Sequence, residues 1–214
     1  MEQDIKKVKN VMFDLGGVIM DIKRANCIAA LVAIGLEKAD EMLGDYVQAG
    51  AFGQMEEGRI SADDFFEAMR KEIGKPVSNE AIRDALNQFL LGIPVRRLRM
   101  LEELRKHYGV YLLSNTNPIM FNSKIADEFA KDGKKTEDYF DGMVKSYETG
   151  YTSKPDVKIY QYTIDKFGFK DPSETLFFDD SQINVDAARS AGLQAFLVKP
   201  GVDVEDSIRE LGLL

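Results

Sequence analysis

Residues 11–19 read Val11-Met12-Phe13-Asp14-Leu15-Gly16-Gly17-Val18-Ile19. A short apolar run ends in an acid, and a glycine pair follows. Such a run reads as a buried strand that breaks into a tight turn. The acid leaves the strand at its carboxyl end, so Asp14 stands on a rigid support. The same texture returns downstream. Val110-Tyr111-Leu112-Leu113 ends in Ser114 and Asn115, and Thr175-Leu176-Phe177-Phe178 ends in Asp179 and Asp180. Ala195-Phe196-Leu197-Val198 is a further strand, and Met143-Val144 with its flanks a weak one. Segments 95–107, 118–131, 155–167, 184–191 and 203–212 carry helical patterns between them. Strands alternating with helices predict an α/β fold with a parallel sheet. In such sheets, sites form at the carboxyl ends of the strands.

Between the first strand and Gly92 the texture is different. Residues from about 22 to 90 predict a helical bundle with no strand inside it. Apolar residues recur at three-and-four spacing over 24–35 and 37–49. Ser61 is the expected N-cap of another helix, with Asp63 and Asp64 in its first turn, and Ser78 or Asn79 starts one that runs to about Leu91. Phe52, Gln54, Met55 and Arg59 are expected in a loop of this bundle that faces the core.

Composition narrows the chemistry. The 28 Lys and Arg against 36 Asp and Glu give a net charge of −8, which argues against nucleic acid or an anionic membrane as partner. The first ten residues carry no apolar signal segment, and no apolar run approaches the roughly 20 residues that span a bilayer. A single cysteine, Cys27, rules out an internal disulfide framework and fits a reducing, cytoplasmic compartment. A single histidine, His107, rules out a multi-histidine metal site and is expected on the surface near a helix end.

The chemistry must therefore run on oxygens and amines. Asp14, Asp179 and Asp180 would leave neighbouring strands at one edge, and clustered carboxylates need a cation. Ligands that are all oxygen favour a hard ion, and Mg2+ suits a few carboxylates plus a substrate phosphate. Ser114 and Asn115 supply donors for an anionic oxygen. Lys154, before Pro155 at a helix start, adds a positive charge where the helix dipole also favours a phosphate. A carboxylate nucleophile, a hydroxyl, a lysine and a hard cation together suit phosphoryl transfer.

In these residues the chain resembles the haloacid dehalogenase superfamily of Asp-nucleophile hydrolases. Val11-Met-Phe-Asp14-Leu-Gly16-Gly-Val-Ile matches its first motif and Leu112-Leu-Ser114-Asn115-Thr116 its second. Lys154-Pro155-Asp156 matches the third, and Phe177-Phe-Asp179-Asp180 the fourth. Phe13-Asp-Leu-Gly-Gly-Val-Ile-Met-Asp21-Ile, Glu57-Gly-Arg-Ile-Ser61, Leu113-Ser-Asn-Thr-Asn117, Lys154-Pro-Asp-Val-Lys-Ile-Tyr-Gln161 and Phe177-Phe-Asp-Asp-Ser-Gln-Ile-Asn184 look closer to one branch, the bacterial α-D-glucose-1-phosphate phosphatase-like proteins.

The resemblance implies a Rossmann-like core, residues 1–20 and 93–214, with an inserted helical-bundle cap, residues 21–92. It implies a Mg2+-dependent phosphatase acting through an aspartyl-phosphate on Asp14. Asp14, the Gly16 carbonyl and Asp180 would hold the metal, with Asp179 a direct or indirect partner. Ser114, Asn115 and Lys154 would bind the phosphoryl group, and Lys154 would also neutralise the nucleophile. The implied partner is a small phosphorylated substrate, and the chain would be a monomer or weak homodimer.

One position departs from the superfamily pattern. Most such phosphatases carry a second Asp two residues after the nucleophile as general acid and base, and here that place is Gly16. General acid catalysis is worth about 10²–10⁴-fold. Either another group, for example from the cap, donates the proton, or the leaving group is more acidic, as in a sugar-1-phosphate, or turnover is slow. Two alternatives follow: a carbon–halogen hydrolase, for which two adjacent acids at 179 and 180 would be idle, and a catalytically slow binding protein. Asp21 fits a hinge better than a substrate contact. Tyr139, Phe140, Tyr147 and Tyr151 fit core packing better than a stacking platform.

Overall fold

The computed structural model describes residues 4–44 and 48–214. The first strand, β1 (Asn10–Phe13), breaks into a turn in which Ile19 and Met20 both donate to the Leu15 carbonyl. The chain then runs through β2 (Asp21–Ile22), α1 (Arg24–Ala33), α2 (Ala39–Met42), α3 (Gly50–Glu56), α4 (Ala62–Ile73), α5 (Asn79–Asn87) and β3 (Leu90–Gly92). It continues through α6 (Val95–Leu104), β4 (Gly109–Ser114), α7 (Pro118–Met120), a π-turn at Phe121–Ile125, α8 (Ala126–Phe129) and β5 (Gly142–Lys145). The last elements are α9 (Val157–Phe167), β6 (Thr175–Asp179), α10 (Gln182–Ser190), β7 (Gln194–Leu197) and α11 (Val204–Glu210).

Among the described residues, five strands form one sheet in the order β5-β4-β1-β6-β7, with every pairing parallel. The pleat sends alternate residues to opposite faces. Val11 and Phe13, with Val110, Leu112, Leu176 and Phe178, join Leu98, Leu101, Phe129 and Ile208 on one side. Met12, Leu113 and Phe177 join Ile159, Tyr160, Val185 and Ala188 on the other. Both faces are covered, which is why these strands read as unbroken apolar runs. The chain steps from β1 to β4 on one side and later to β6 on the other. The crevice at this reversal, at the carboxyl ends, is where such sheets bind ligands.

The helices α1 to α5 enclose a separate apolar cluster around Leu31, Phe52, Met55, Phe65, Met69, Ile82 and Leu86. Ser61 caps α4 as the sequence predicts: its Oγ accepts from the Asp64 N–H while the Asp64 carboxylate accepts from the Ser61 N–H. Other details of this region differ from expectation. A two-stranded antiparallel ribbon, β2 with β3, stands where the chain leaves and rejoins the sheet. The helix expected over 37–49 is only the single turn Ala39–Met42, and residues 45–47 of it lie outside the described residues. The expected loop around Phe52 is instead the helix α3, with Phe52 and Met55 buried and Arg59 just beyond its end.

Candidate active site

The three central strands deliver their terminal polar groups to one edge. Asp14 follows β1, Ser114 closes β4 and Asp179 closes β6. The Asp14 amide still bonds to the Phe178 carbonyl (2.9 Å), so the acid is held in the sheet ladder. Its Oδ1 accepts from the Leu15 N–H at 2.6 Å and lies 2.8 Å from Lys154 Nζ.

Lys154 comes from the loop before α9 and is fastened by Asn115. The Asn115 Nδ2 donates to the Lys154 carbonyl and its Oδ1 accepts from the Lys154 N–H, both at 2.8 Å. The Asn115 amide is thus committed to placing the lysine. Beyond the cis Lys154–Pro155 bond, Asp156 caps α9 by accepting from the Lys158 N–H. The lysine side chain is 1% exposed and bridges Asp14 to Asp179, 2.7 Å from Asp179 Oδ2.

The two adjacent acids do different work. Asp179 is fully buried and its oxygens are occupied: Oδ1 accepts from the Ser181 N–H at 2.8 Å and from Asn184 Nδ2 at 3.0 Å, and Oδ2 faces the lysine. Asp180 lines the cavity that opens above the strand ends, and Asp179 does not. Space for Asp180 comes from Gly17. A Cβ there would lie 2.2 Å from Asp180 Oδ2, and the glycine's φ of +77° is itself unfavourable for other residues. Asp14, Asp179 and Asp180 each bring a carboxylate oxygen to within 4.8 Å of the others. That donor set, free of nitrogen and sulfur, fits a hard divalent cation.

The charges of the site act on one another. Burial, with the neighbouring Asp179 and Asp180, pushes the Asp14 carboxyl up to about 7 against the opposing pull of Lys154. Burial and Asp179 also raise Asp180. Burial works against the Lys154 ammonium, but Asp14 and Asp179 outweigh it and hold the lysine protonated above its ordinary range.

The cavity has a volume of about 140 Å³. Asp14, Gly16, Ser114, Asn115, Lys154 and Asp180 line it from the sheet, so of the residues expected to bind metal or phosphate or to carry the catalysis, each except Asp179 faces it. The helices α3 and α5 close the other side with Phe52, Glu56 and Leu86, and Phe89 follows them. Sequence reasoning missed Glu56 and Asn184. Glu56 is hidden in the sequence because Gly50 and Gly53 argue against a helix there. Asn184 lay inside a motif stretch, but only the fold shows its amide reaching Asp179.

Other expectations find their places. Asp21 is not in the cavity; its Oδ1 accepts from Arg97 Nη1 at 2.8 Å, and the same guanidinium reaches the Ile19 carbonyl and Asp203. Arg97 thereby ties the start of the β2–β3 ribbon to the N-cap of α11. Tyr139 and Phe140 are core residues, whereas Tyr151 is exposed with a φ of +78°. His107 is exposed beyond the end of α6, and Cys27 is buried among the helices α1 to α5. No helix among the described residues is long and apolar enough to cross a membrane.

Comparison with known proteins agrees with this geometry. A family model described as haloacid dehalogenase-like hydrolase matches residues 8–192. The chain is similar to a D-ribitol-5-phosphate phosphatase of Bacteroides thetaiotaomicron, with 39% identity over 92% of this chain and 94% of the relative. Among solved structures it is similar to a HAD family enzyme from the same organism in complex with magnesium and inorganic phosphate. There the TM-score is 0.87, with 37% identity, covering 94% of this chain and 100% of that one. An L-2-haloacid dehalogenase from Xanthobacter autotrophicus shares the fold alone, at 20% identity, a TM-score of 0.60, and 96% and 82% coverage.

Proposed function

Because the chain belongs to the haloacid dehalogenase-like hydrolase family, we propose that it is a Mg2+-dependent phosphatase of a small phosphorylated metabolite. The observation that carries this reading is the Asp14 carboxylate, held by Lys154 in one cavity with Asp180 and the end of β4. Asp14 attacks phosphorus in line and forms an aspartyl-phosphate, which water then hydrolyses. Lys154 holds the nucleophile in place and offsets the charge gathering on the phosphoryl oxygens. Ser114 and the backbone at Asn115 bind those oxygens, while the Asn115 side chain keeps Lys154 in position.

Asp14, Asp180 and the Gly16 carbonyl would hold the metal. Asp179, with its oxygens already occupied, would support it through Lys154 and Asn184. A bound Mg2+ supplies positive charge to the phosphoryl oxygens and to the acidic cluster. The functional division we infer is residues 1–20 and 93–214 as catalytic core and 21–92 as cap. The cap covers the site, excludes water and reads the part of the substrate beyond the phosphate.

A sugar phosphate, such as a sugar-1-phosphate, or a sugar-alcohol phosphate suits the cavity. Its about 140 Å³ is small beside the ~300–1,000 Å³ typical of drug-sized ligands, and a 39% identical relative is named for a pentitol phosphate. A panel of sugar-1-phosphates, pentitol and hexose phosphates and nucleotides, assayed with Mg2+, tests this. We expect turnover of a sugar or sugar-alcohol phosphate, abolished by EDTA and by Asp14→Asn with the fold intact. Full activity of either the chelated protein or the variant would refute the mechanism.

A further inference from the structure

Gly16 leaves the usual acid–base position without a side chain, and the alkoxide of an ordinary phosphate ester is too basic to leave unprotonated. Among the described residues, the helical side of the cavity carries one further carboxyl. Glu56, the last residue of α3, lines the same cavity as Asp14, Lys154 and Asp180. Among the described residues its carboxyl makes no hydrogen bond or ion pair. The other acids of the cavity are placed differently. Asp14 is paired with Lys154 and Asp180 is packed against Gly17.

The helix that carries Glu56 is held on both sides of that residue. Phe52, one turn earlier on the same face, is buried edge-on against Phe65, with ring centroids 5.1 Å apart. Beyond the helix, Gly58 (φ +71°) approaches the Tyr147 carbonyl so closely that a Cβ would lie 2.3 Å from it. The Arg59 guanidinium covers the Tyr151 ring at 5.2 Å. Both contacts reach the loop after β5, so they seat α3 on the sheet domain with Glu56 directed into the cavity.

We propose that Glu56 is the general acid and base of this site, protonating the leaving oxygen and then deprotonating the hydrolytic water. The inference rests on the phosphatase reading above. In the first step Asp14 Oδ bonds to phosphorus and the P–O bond to the leaving group breaks. Its electron pair stays on the leaving oxygen, which takes the Glu56 proton and departs as an alcohol. In the second step Glu56, now a carboxylate, takes a proton from water as its oxygen bonds to phosphorus. The P–O bond to Asp14 breaks, returning the electron pair to the Asp14 carboxylate. The sum is ester plus water giving alcohol plus phosphate, with Glu56 protonated again.

The electrostatic setting agrees. Burial, then the charges of Asp14 and Glu57, push the Glu56 carboxyl up to about 7, with Lys154 opposing, which suits proton transfer near neutral pH. The other elements against α3 add little. Glu148 in the 146–148 turn is paired with Lys145 at 2.7 Å, and Asp63, Asp64 and Glu67 of α4 are exposed. With an acid available, the leaving group need not be activated, so the missing side chain at position 16 no longer singles out sugar-1-phosphates.

The test compares two esters in wild type and Glu56→Gln. One is the best alkyl phosphate from the panel; the other is p-nitrophenyl phosphate, whose leaving group departs readily as an anion. The second step is common to both esters, so the readout is kcat/KM, which reports the step that expels the leaving group: we expect it to fall by about 10²–10⁴-fold for the alkyl ester and by less than about tenfold for the aryl ester. The alkaline limb of the kcat/KM–pH profile on the alkyl ester should disappear with it. Equal losses on both esters, or no loss on the alkyl ester, would overturn the assignment. A wild-type series of phosphate esters gives the same answer without a variant: kcat/KM nearly independent of leaving-group basicity supports an acid, and a steep dependence overturns it. If the wild-type protein hydrolysed neither ester with Mg2+, the phosphatase reading itself would fail, a result distinct from every outcome above.

Discussion

Lys154 Nζ lies 2.7 Å from Asp179 Oδ2 in a site where the two side chains are 1% and 0% exposed. The same ammonium is 2.8 Å from Asp14. One buried cation thus serves a buried carboxylate and one that faces the cavity, and the mechanical and chemical functions of the lysine coincide.

Replacing Lys154 by Met should therefore cost both stability and turnover. It leaves Asp14 and Asp179 facing each other unpaired, and breaking a buried pair costs about 3–5 kcal/mol. The cost should shrink as pH falls, because protonation removes the repulsion that the lysine offset. Turnover should drop by at least about 10²-fold. Denaturation at pH 8 and at pH 5.5, beside Mg2+-dependent phosphatase assays, measures both effects; equal destabilisation at the two pH values would contradict the electrostatic account.

Gly17→Ala should act on Asp180. The added Cβ would lie 2.2 Å from Asp180 Oδ2, so the carboxylate must move away from the acidic cluster. The positive φ adds a backbone cost of about 1 kcal/mol. The expected result is a modestly less stable protein whose Mg2+ requirement rises by about 10–100-fold, read by titrating activity with Mg2+. An unchanged Mg2+ requirement would mean that Asp180 tolerates the move and is not a ligand.

The sheet was legible because its strands are buried on both faces: 110–113 and 175–178 lie inside β4 and β6, and their terminal polar residues meet at one edge. The helical region was less legible for two physical reasons. The ribbon strands Asp21–Ile22 and Leu90–Gly92 are too short to show a period, so Leu90 and Leu91 read as the end of a helix. Helix α3 contains Gly50 and Gly53, which argue against a helix on propensity. Gly53 is nonetheless required there, since a Cβ would come within 2.5 Å of the Gln48 carbonyl, and the burial of Phe52 and Met55 holds the helix in place. Missing α3 meant missing Glu56. The roles of Asn115 and Asp179 were hidden for another reason, because only the fold shows which of their atoms are already bonded.

Gly58→Ala tests how the cap sits on the core. A Cβ at Gly58 would meet the Tyr147 carbonyl at 2.3 Å, and that carbonyl is backbone and cannot swing aside. The end of α3 should lift from the loop after β5. We expect kcat/KM for the alkyl ester to fall by about 10-fold or more, since displacements of about 1 Å remote from the chemistry can cost about 10²-fold. Stability should fall by about 1–2 kcal/mol. Kinetics indistinguishable from wild type would show that this contact does not position the cap.

The raised Glu56 carboxyl also has a consequence for folding. Its folded value of about 7 lies above the ordinary 4.5, so the folded chain holds a proton that the unfolded chain has released between those values. Stability from this group is fully present below about 4.5 and is lost as pH rises through about 7. Above that pH the protein carries an unpaired, half-buried carboxylate. Glu56→Gln keeps the shape and removes the charge. It should therefore be more stable than wild type at pH 8, by about 1–2 kcal/mol after allowing for solvent at the cavity mouth, and no more stable at pH 4.5. Denaturant titrations of both metal-free proteins across this range measure the difference. A variant less stable than wild type at pH 8 would mean that the carboxylate has a partner that stabilises it, and that its charge is not a cost the fold bears for catalysis.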